Sequence, residues 1–370
     1  MNQNIKKILP KLIFFIVLSI VVIIIVLSLN DMQEIAKTLK NVKIGWLAFG
    51  FLFLLLYMIF YPMPLCILGH SKEEENIKFK DSMMIGSIEY FFNGITPFSS
   101  GGQPFQIYSY RKIGVSLHRA SGIVLMNFVC SQIALVLLCI GSLFFFNELS
   151  NGITYLQVMI IVGLAINILI FALFCSVGLS KTVRKLLTKF VGWLLNLKVF
   201  KGKLARFVAA FDEYCAGAQA TFKALLGQKM KFISSVGLKL AGFICYYSIP
   251  FFILLALGIE ISINKLALII AMTTFSIAMT CYIPTPGATG GIEFAFKELF
   301  VSVVPAISAS IATSGLLLWR FITYYFLMLL SFFGYLIFEK VTSNRQKQQQ
   351  MDEEVLENQE IPLQNSENDV

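Results

Sequence analysis

Four ionisable residues lie within or at the end of apolar stretches of this 370-residue sequence. They are Glu89, Arg111, Glu293 and Arg320. A charged side chain inside an apolar helix is costly, so such residues are usually functional. We expect Glu293 and Arg320 to form a buried pair, or Arg320 to hold a phosphate group that Glu293 orients. A purely structural ion pair is the alternative interpretation.

Two glycine-rich interruptions of the apolar sequence resemble each other. Residues 96–105 read TPFSSGGQPF and align without gaps on residues 285–294, which read TPGATGGIEF. Proline and paired glycines stop a helix, and lipid cannot satisfy the backbone groups that such a break frees. The shared pattern T-P-x-small-[ST]-G-G-x-x-F therefore predicts an internal repeat with two breaks, each enclosed by protein or by a polar cavity. Chance likeness of two glycine-rich turns is the alternative.

The arms that follow the breaks begin at paired glycines, and the N-terminus of a helix attracts anions. Backbone N–H groups there are predicted to hold an anionic phosphate, although paired glycines also permit close helix packing. The predicted ligand-binding residues are Glu89, Gly101, Gly102, Gln103, Arg111, Thr285, Gly290, Gly291, Glu293 and Arg320.

The sequence offers little for catalysis or metal binding. It contains only two histidines, His70 and His118, and none of its seven cysteines forms a C-x-x-C pair. No nucleophile–base motif is present. We therefore predict no catalytic residue, no metal site and no cofactor.

The composition predicts an all-α polytopic membrane protein. Hydrophobic residues make up 57% of the sequence and charged residues only 14%, whereas a soluble domain carries about 25% charged residues. Runs of about 20 apolar residues are long enough to span a bilayer. About six full spans are expected, at residues 12–29, 46–68, 120–146, 155–179, 232–257 and 306–338.

The interrupted segments 79–110 and 266–304 are expected to be re-entrant broken-helix hairpins. Residues 180–231 hold eleven Lys and Arg against two acids, which places this amphipathic segment in the cytoplasm. Its charge signals either topology alone or contact with anionic lipid rather than nucleic acid. With both termini cytoplasmic, the hairpins enter from opposite sides as an inverted repeat, which is typical of transporters. A disordered polar tail, residues 341–370, is expected to follow a membrane domain of residues 1–340.

The stretch P-T-P-G-x-x-G-G-x-E at residues 284–293, followed by Arg320 in a long span, resembles the lysylphosphatidylglycerol synthase transmembrane-region family. Thr96-Pro97, Gly101-Gly102 and Arg111 resemble the first motif of that family. Gln103 stands where the family often has an acid. The resemblance covers nearly all of residues 1–340.

Full-length members of that family join this membrane region to a cytosolic domain that transfers lysine to phosphatidylglycerol, and the membrane region is credited with flipping the product. About thirty residues follow the last expected span, too few for an acyltransferase fold, so the resemblance implies the flippase-like part alone.

We therefore expect a lipid flippase or transporter of a bacterial-type inner membrane. Its substrate would be an anionic or aminoacylated phospholipid or a polyprenyl-phosphate lipid. The alternatives are a phosphatidylglycerol lysyltransferase-type enzyme or a membrane subunit of one, and a regulatory partner of a separate lipid synthase.

Overall fold

The structure is a computed structural model that describes residues 32–70, 77–195, 204–280 and 283–366. Within these ranges the chain forms helices and no strand, which confirms the predicted all-α fold. The first predicted span, residues 12–29, lies outside the described residues.

The described ranges contain fifteen α-helices. In chain order they are α1 (Met32–Lys40), α2 (Ile44–Phe60), α3 (Met63–Gly69), α4 (Phe79–Ile95), α5 (Gly102–Lys112), α6 (Leu117–Ser142), α7 (Phe146–Ser150), α8 (Thr154–Leu179), α9 (Lys181–Leu195), α10 (Leu204–Gly227), α11 (Lys229–Ala256), α12 (Leu266–Ala278), α13 (Gly291–Val303), α14 (Ala309–Arg320) and α15 (Leu327–Ser366). Short 3₁₀ turns at Pro97–Ser99 and Pro286–Ala288 occupy the two breaks, and a π-helical segment, Phe321–Phe326, joins α14 to α15.

Five helical stretches are long and apolar enough to cross a membrane. They are Ile44–Gly69, Leu117–Ser150, Thr154–Leu179, Lys229–Ala256 and Ala309–Gln346, and they coincide with the five predicted spans that fall within the described ranges. Large apolar side chains on them face outward: Leu169 is 68% exposed and Phe144 is 91% exposed. Helices that contact lipid need no polar outer face, and the chain is a polytopic membrane protein.

Both ends of the first hairpin, formed by α4 and α5, lie at the same end of the helix bundle. Near the start of α4, Asp81 Oδ2 pairs with Arg345 Nη1 of α15 at 2.8 Å. At the end of α5, Lys112 Nζ pairs with Glu339 Oε2 of the same helix at 2.6 Å. Arg119, at the start of α6, donates to the Gly69 carbonyl at 3.2 Å. We call this the basic end of the bundle.

Both ends of the second hairpin, formed by α12 and α13, lie at the opposite end of the bundle. Just before α12, Lys265 Nζ lies 3.7 Å from Glu148 Oε2 of α7. Near the end of α13, the carbonyl of Ser302 accepts a 3.0 Å hydrogen bond from Asn151 Nδ2. Since α6 and α7 run from the basic end to this end, the two hairpins enter the bundle from opposite ends.

The two breaks share the same backbone conformation at three of their first four residues. Thr96 and Thr285 are extended, with φ/ψ of −113°/146° and −111°/150°. Two residues later the backbone is left-handed in both breaks, at Phe98 (φ 57°) and Gly287 (φ 59°), and it remains so in the next residue. Three matches within four residues, two of them in the rare left-handed region, are not expected of two unrelated turns, so the sequence likeness is a structural repeat.

The basic segment contains two further helices, α9 and α10. On α9 the apolar side chains Leu186, Phe190 and Trp193 are exposed, and their spacing places them on one helical face. The predicted cytoplasmic position of this amphipathic segment stays a prediction. The last helix, α15, continues as far as Ser366, and the predicted disorder of residues 341–370 also stays a prediction.

The repeat supplies a matched test of backbone and packing constraints. A Cβ on Gly287 would lie 2.2 Å from Tyr324 Oη and would sit on a left-handed backbone, which costs about 1–2 kcal/mol for an L-residue. Gly287→Ala should therefore lower the apparent melting temperature of the purified protein by several degrees.

The control is Phe98→Ala at the equivalent position of the first break. Phe98 already carries a Cβ at φ 57° and is 52% exposed, so its truncation should change the melting temperature little. Equal effects of the two substitutions would contradict the packing assigned to Gly287.

Candidate functional site

The two breaks meet at one cavity inside the bundle. They contact each other directly, and the cavity beside them has a volume of about 240 Å³. Its walls come from α2, both hairpins, α11 and the junction of α14 with the π-helical segment. We call it the central cavity; its polar and aromatic walls include Tyr57, Tyr61, Glu89, Tyr90, Asn93, Tyr246, Trp319, Arg320 and Tyr324.

The structure brings Glu293 and Arg320 together at this cavity. Arg320 Nε and Nη2 each lie 2.7 Å from Glu293 Oε1, and Nη2 also donates to the Gly287 carbonyl at 3.3 Å. The other carboxylate oxygen of Glu293 accepts from the Gly290 amide at 2.6 Å. Both side chains are about nine-tenths buried, at 11% and 9% exposed. The pair therefore fixes the second break to α14.

Local sequence positions each member of this pair. Glu293 is the third residue of α13, where a glutamate can cap the helix start by bonding back to the preceding amide. Gly290 adopts φ 94° there, a conformation that glycine reaches without steric cost. Arg320 ends α14 and packs against the ring of Tyr324, 4.9 Å from the ring centroid. The Tyr324 hydroxyl donates to the Gly94 carbonyl of the first hairpin at 3.0 Å.

Glu89 organises the first hairpin from inside. Its carboxylate accepts hydrogen bonds from Gln106 of α5 at 2.8 Å and from Asn93 of α4 at 3.3 Å. Asn93 in turn accepts from the Gly102 amide at 2.8 Å. Glu89 is 4% exposed and lines the central cavity. It therefore links the two arms of the hairpin and contributes a carboxyl group to the cavity wall.

The paired glycines are packed closely, and three of their four amides have partners within the protein. The Gly101 amide donates to Thr96 Oγ1 at 2.8 Å, and the amides of Gly102 and Gly290 bond to Asn93 and Glu293. A Cβ on Gly102 or Gly291 would lie 2.5 Å or 2.0 Å from a neighbouring side chain. These contacts favour the packing interpretation, and the phosphate cradle stays a prediction.

Two other predicted site residues lie away from the central cavity, and one more has a local role. Arg111 lines a separate cavity at the basic end. Gln103 lines an apolar cavity between α5, α6, α8, α9 and α10. Thr285 donates to the carbonyl of Thr289 at 2.9 Å, within its own break. The binding roles predicted for these residues stay predictions.

Sequence reasoning missed Lys239, which is fully buried in the middle of α11. Its Nζ lies 3.5 Å from the centroid of the Tyr61 ring and has no hydrogen-bond partner among the described residues. The Glu89 carboxylate attracts it electrostatically. The sequence does contain a signal that could have identified this residue. Lys239 lies well inside a predicted span, where an ionisable residue is usually functional.

A cluster of tyrosines at the central cavity was also missed. The ring centroid of Tyr57 lies 5.1 Å from Tyr61, 5.3 Å from Tyr90 and 4.7 Å from Tyr246. Aromatic residues within a span usually only pack, so no sequence pattern groups these four. Together with Glu89 they form a wall of aromatic faces and a carboxyl group, which suits a cation, and Lys239 Nζ already lies over the Tyr61 face.

Two hydrogen-bonding groups at the cavity wall have no partner among the described residues. They are Trp319 Nε1 and the Tyr90 hydroxyl. An unpaired buried donor costs about 1–3 kcal/mol, and an indole N–H can only donate. An acceptor atom brought into the cavity, such as a phosphate oxygen, would relieve that cost at Trp319.

The fold and this site define a polytopic helical membrane protein with two oppositely directed broken hairpins that meet at a polar cavity. Residues 13–331 match the family described as Lysylphosphatidylglycerol synthase TM region, and the chain belongs to that family. Comparisons with curated proteins and with solved structures found no match. Among the described residues, no group of three or more His, Cys, Asp or Glu side chains is placed to hold a metal ion.

The Glu293–Arg320 pair can be tested by a double-mutant cycle. Removing one member of a buried pair leaves an uncompensated charge, which costs about 3–5 kcal/mol. Glu293→Gln and Arg320→Gln should each lower the melting temperature strongly. The double substitution should cost less than the sum of the two, because it leaves no unpaired charge. Additive effects would show that the two side chains do not stabilise each other.

The buried cation of Lys239 allows a second stability test. Lys239→Met keeps a long side chain and removes a buried charge that lacks a hydrogen bond, so the melting temperature should stay unchanged or rise. Lys239→Ala removes the same charge but leaves a void, and it should be destabilising. If both substitutions lower the melting temperature equally, the charge itself is needed for folding.

Proposed function

We propose that this protein moves a phospholipid between the two leaflets of a membrane and that the lipid headgroup passes through the central cavity. The observation that carries the proposal is the meeting of two broken hairpins, entering from opposite ends, at one cavity with polar walls. Broken helices in an inverted repeat are the usual construction of secondary transporter sites. Family membership supports a role in lipid metabolism.

The proposal includes a placement in the membrane. The five apolar stretches cross it, and the two hairpins are re-entrant segments whose breaks lie near the midplane. The basic end faces the cytoplasm, since loops rich in Lys and Arg remain on that side. This orientation puts the C-terminal end of α15 and the basic segment 180–231 in the cytoplasm, and the membrane would be the inner membrane of the cell.

The chemistry of the central cavity supports a headgroup that carries charges of both signs. Arg320 and the unpaired indole N–H of Trp319 suit a phosphate. The tyrosine faces and Glu89 suit an ammonium group. An aminoacylated phospholipid contains both groups, so it is the substrate class that we favour over a polyprenyl-phosphate lipid, which carries phosphate alone.

The last span contains the element best placed to open the cavity. The π-helical segment Phe321–Phe326 follows Arg320 directly, and π-helical turns inside helices occur frequently at functional sites. Tyr324 on this segment bridges to Gly94 of the first hairpin and so closes the space between the two breaks. Release of that bridge would allow the last span to move away from the first hairpin.

The central experiment places the full-length protein in liposomes that carry fluorescent lipid in both leaflets, with dithionite added outside. For the wild type, dithionite should quench more than the half of the fluorescence that comes from lipid in the outer leaflet. Trp319→Phe keeps the ring but removes the N–H donor, and it should slow this quenching about tenfold, which corresponds to one hydrogen bond to a charged acceptor. Trp46→Phe is the control, because Trp46 is 39% exposed and lies outside the cavity.

A comparison of headgroups tests the substrate class. Glu89→Gln should slow an aminoacylated lipid more than a lipid with phosphate alone, because only the former places an ammonium group beside the carboxylate. Equal slowing of both lipids would contradict that assignment.

The same preparation separates the proposal from its alternatives. If dithionite quenches only half of the fluorescence for every headgroup, the proposal that the protein moves lipid is wrong. A covalently changed lipid would then favour the lysyltransferase-type enzyme, and activity that depends on an added synthase would favour the regulatory partner.

A further inference from the structure

The apolar cavity between α5, α6, α8, α9 and α10 plays no part in the function proposed above. We call it the lateral cavity, and its volume is about 220 Å³. It shares no described wall residue with the central cavity. Most of the side chains that the described residues contribute to its wall are apolar, and the largest are Phe128 and Phe174, whose ring centroids lie 4.3 Å apart.

Four polar side chains of this wall already have partners within the protein. Ser121 and Tyr214 share a hydrogen bond of 2.5 Å. Gln219 Nε2 donates to two carbonyls at the end of α8, at 2.6 Å and 3.1 Å. Arg184 Nε lies 3.4 Å from Asp212 Oδ1. Because these groups are bonded without a ligand, the wall suits an apolar ligand better than a polar one.

The same bonds fix the helices that surround the lateral cavity. The Ser121–Tyr214 bond joins α6 to α10, and Gln219 joins α10 to the end of α8. A Cβ on Gly178 of α8 would lie 2.7 Å from the ring of Phe222 of α10, so these two helices are already in close contact beside the cavity. The space therefore belongs to the packing of the bundle, and an apolar space without an occupant leaves its walls short of contacts.

The wall of the lateral cavity continues a face of α8 that is exposed along the span. Leu169 is 68% exposed and Leu173 is 54% exposed. Val177 follows at the same helical spacing and lines the cavity, and residues four apart lie on one face of a helix. Phe174 and Val177 are half-buried, so the cavity is accessible from this exposed face. Hydrocarbon chains of the bilayer surround such a face in a membrane span.

We propose that the lateral cavity binds one acyl chain of a membrane phospholipid, which enters along the exposed face of α8 and packs against α5 and α10. A hydrocarbon chain needs no hydrogen bond, and it supplies the contacts that the apolar wall otherwise lacks. The headgroup of that lipid stays outside the cavity. The site exists whether or not the protein moves lipid, so it does not depend on the function proposed above.

The position of the lateral cavity gives its occupant a structural consequence. Gln103 and Ile107 of α5 line the cavity, and Gln106 of the same helix donates to Glu89 at 2.8 Å. A chain bound in the cavity would therefore pack against the helix that holds Glu89 in the wall of the central cavity. Occupancy would restrain the second arm of the first hairpin.

The test uses the full-length protein in nanodiscs of phosphatidylcholine. A small share of this lipid carries a photoactivatable diazirine near the end of one acyl chain, and mass spectrometry locates the labelled residues after irradiation. Residues 215–219 of α10 report the lateral cavity, because three of them line it. Leu169 reports the lipid that surrounds the protein, because it is 68% exposed on a span.

Two tryptophan substitutions on α9 form a matched pair. Leu187→Trp places an indole in the cavity, since Leu187 lines its wall. Leu186→Trp adds the same bulk to the neighbouring residue, which is 59% exposed and is not a wall residue. The melting temperatures of both variants are measured, and labelling of the wild type tests the proposal even if Leu187→Trp does not fold.

In the wild type, both Leu169 and residues 215–219 should be labelled. Leu187→Trp should lower the labelling of residues 215–219 relative to Leu169 about tenfold, which is the effect expected of overpacking a filled site. Leu186→Trp should leave this ratio within about twofold of the wild type, because substitutions at exposed positions have small effects. Excess oleic acid, added in a separate sample, should not change the ratio.

Three results would overturn the proposal. They are labelling of Leu169 without labelling of residues 215–219 in the wild type, equal loss of cavity labelling in the two tryptophan variants, and selective loss of cavity labelling with oleic acid. The last result would assign the cavity to a free fatty acid. Lipid movement is measured in liposomes with the same batch of protein. A protein that moves lipid but shows no label in the cavity would retain the proposed function and lose only this site.

Discussion

Two helix pairs of this protein stop and restart inside the bundle, and the backbone groups freed at those interruptions must find partners away from water. The polar residues around the breaks supply them. Thr96 and Asn93 accept from Gly101 and Gly102, and Glu293 accepts from Gly290. Because Arg320 and Tyr324 bond to carbonyls of the two breaks, the last span is held against both hairpins.

This constraint also explains why charge is tolerated deep in the bundle. Glu293 is neutralised by Arg320 and caps α13, so each buried ion has both an opposite charge and hydrogen bonds. Glu89 is held by two side-chain amides, and the Lys239 ammonium lies over the ring of Tyr61, another wall residue of the same cavity. If a headgroup enters the cavity as proposed, walls balanced in this way would leave no unpaired charge in a medium of low dielectric constant.

Sequence reasoning located much of this site, and the structure places some of the predicted binding residues elsewhere in the bundle. Glu293 and Arg320 stood out as charges in apolar surroundings, and the structure brings them together at 2.7 Å. The paired glycines were also found. However, three of their four amide groups donate hydrogen bonds to neighbouring side chains, and no local sequence pattern predicts those bonds. Arg111 was grouped with the central residues although it lies at the basic end, since the sequence does not show how far α5 carries it from the break.

The sequence by itself determined the spans, the two breaks and their repetition, because each depends on the residues of one short segment: apolar runs, prolines and paired glycines. The left-handed backbone shared by Phe98 and Gly287 follows from that repetition. Only the tertiary structure decided which distant groups meet. The contacts made between separate segments include Lys239 against Tyr61, the four tyrosines around one cavity, and Tyr324 on Gly94. They arise from helix packing, and the order of residues along one helix does not specify what its neighbour presents.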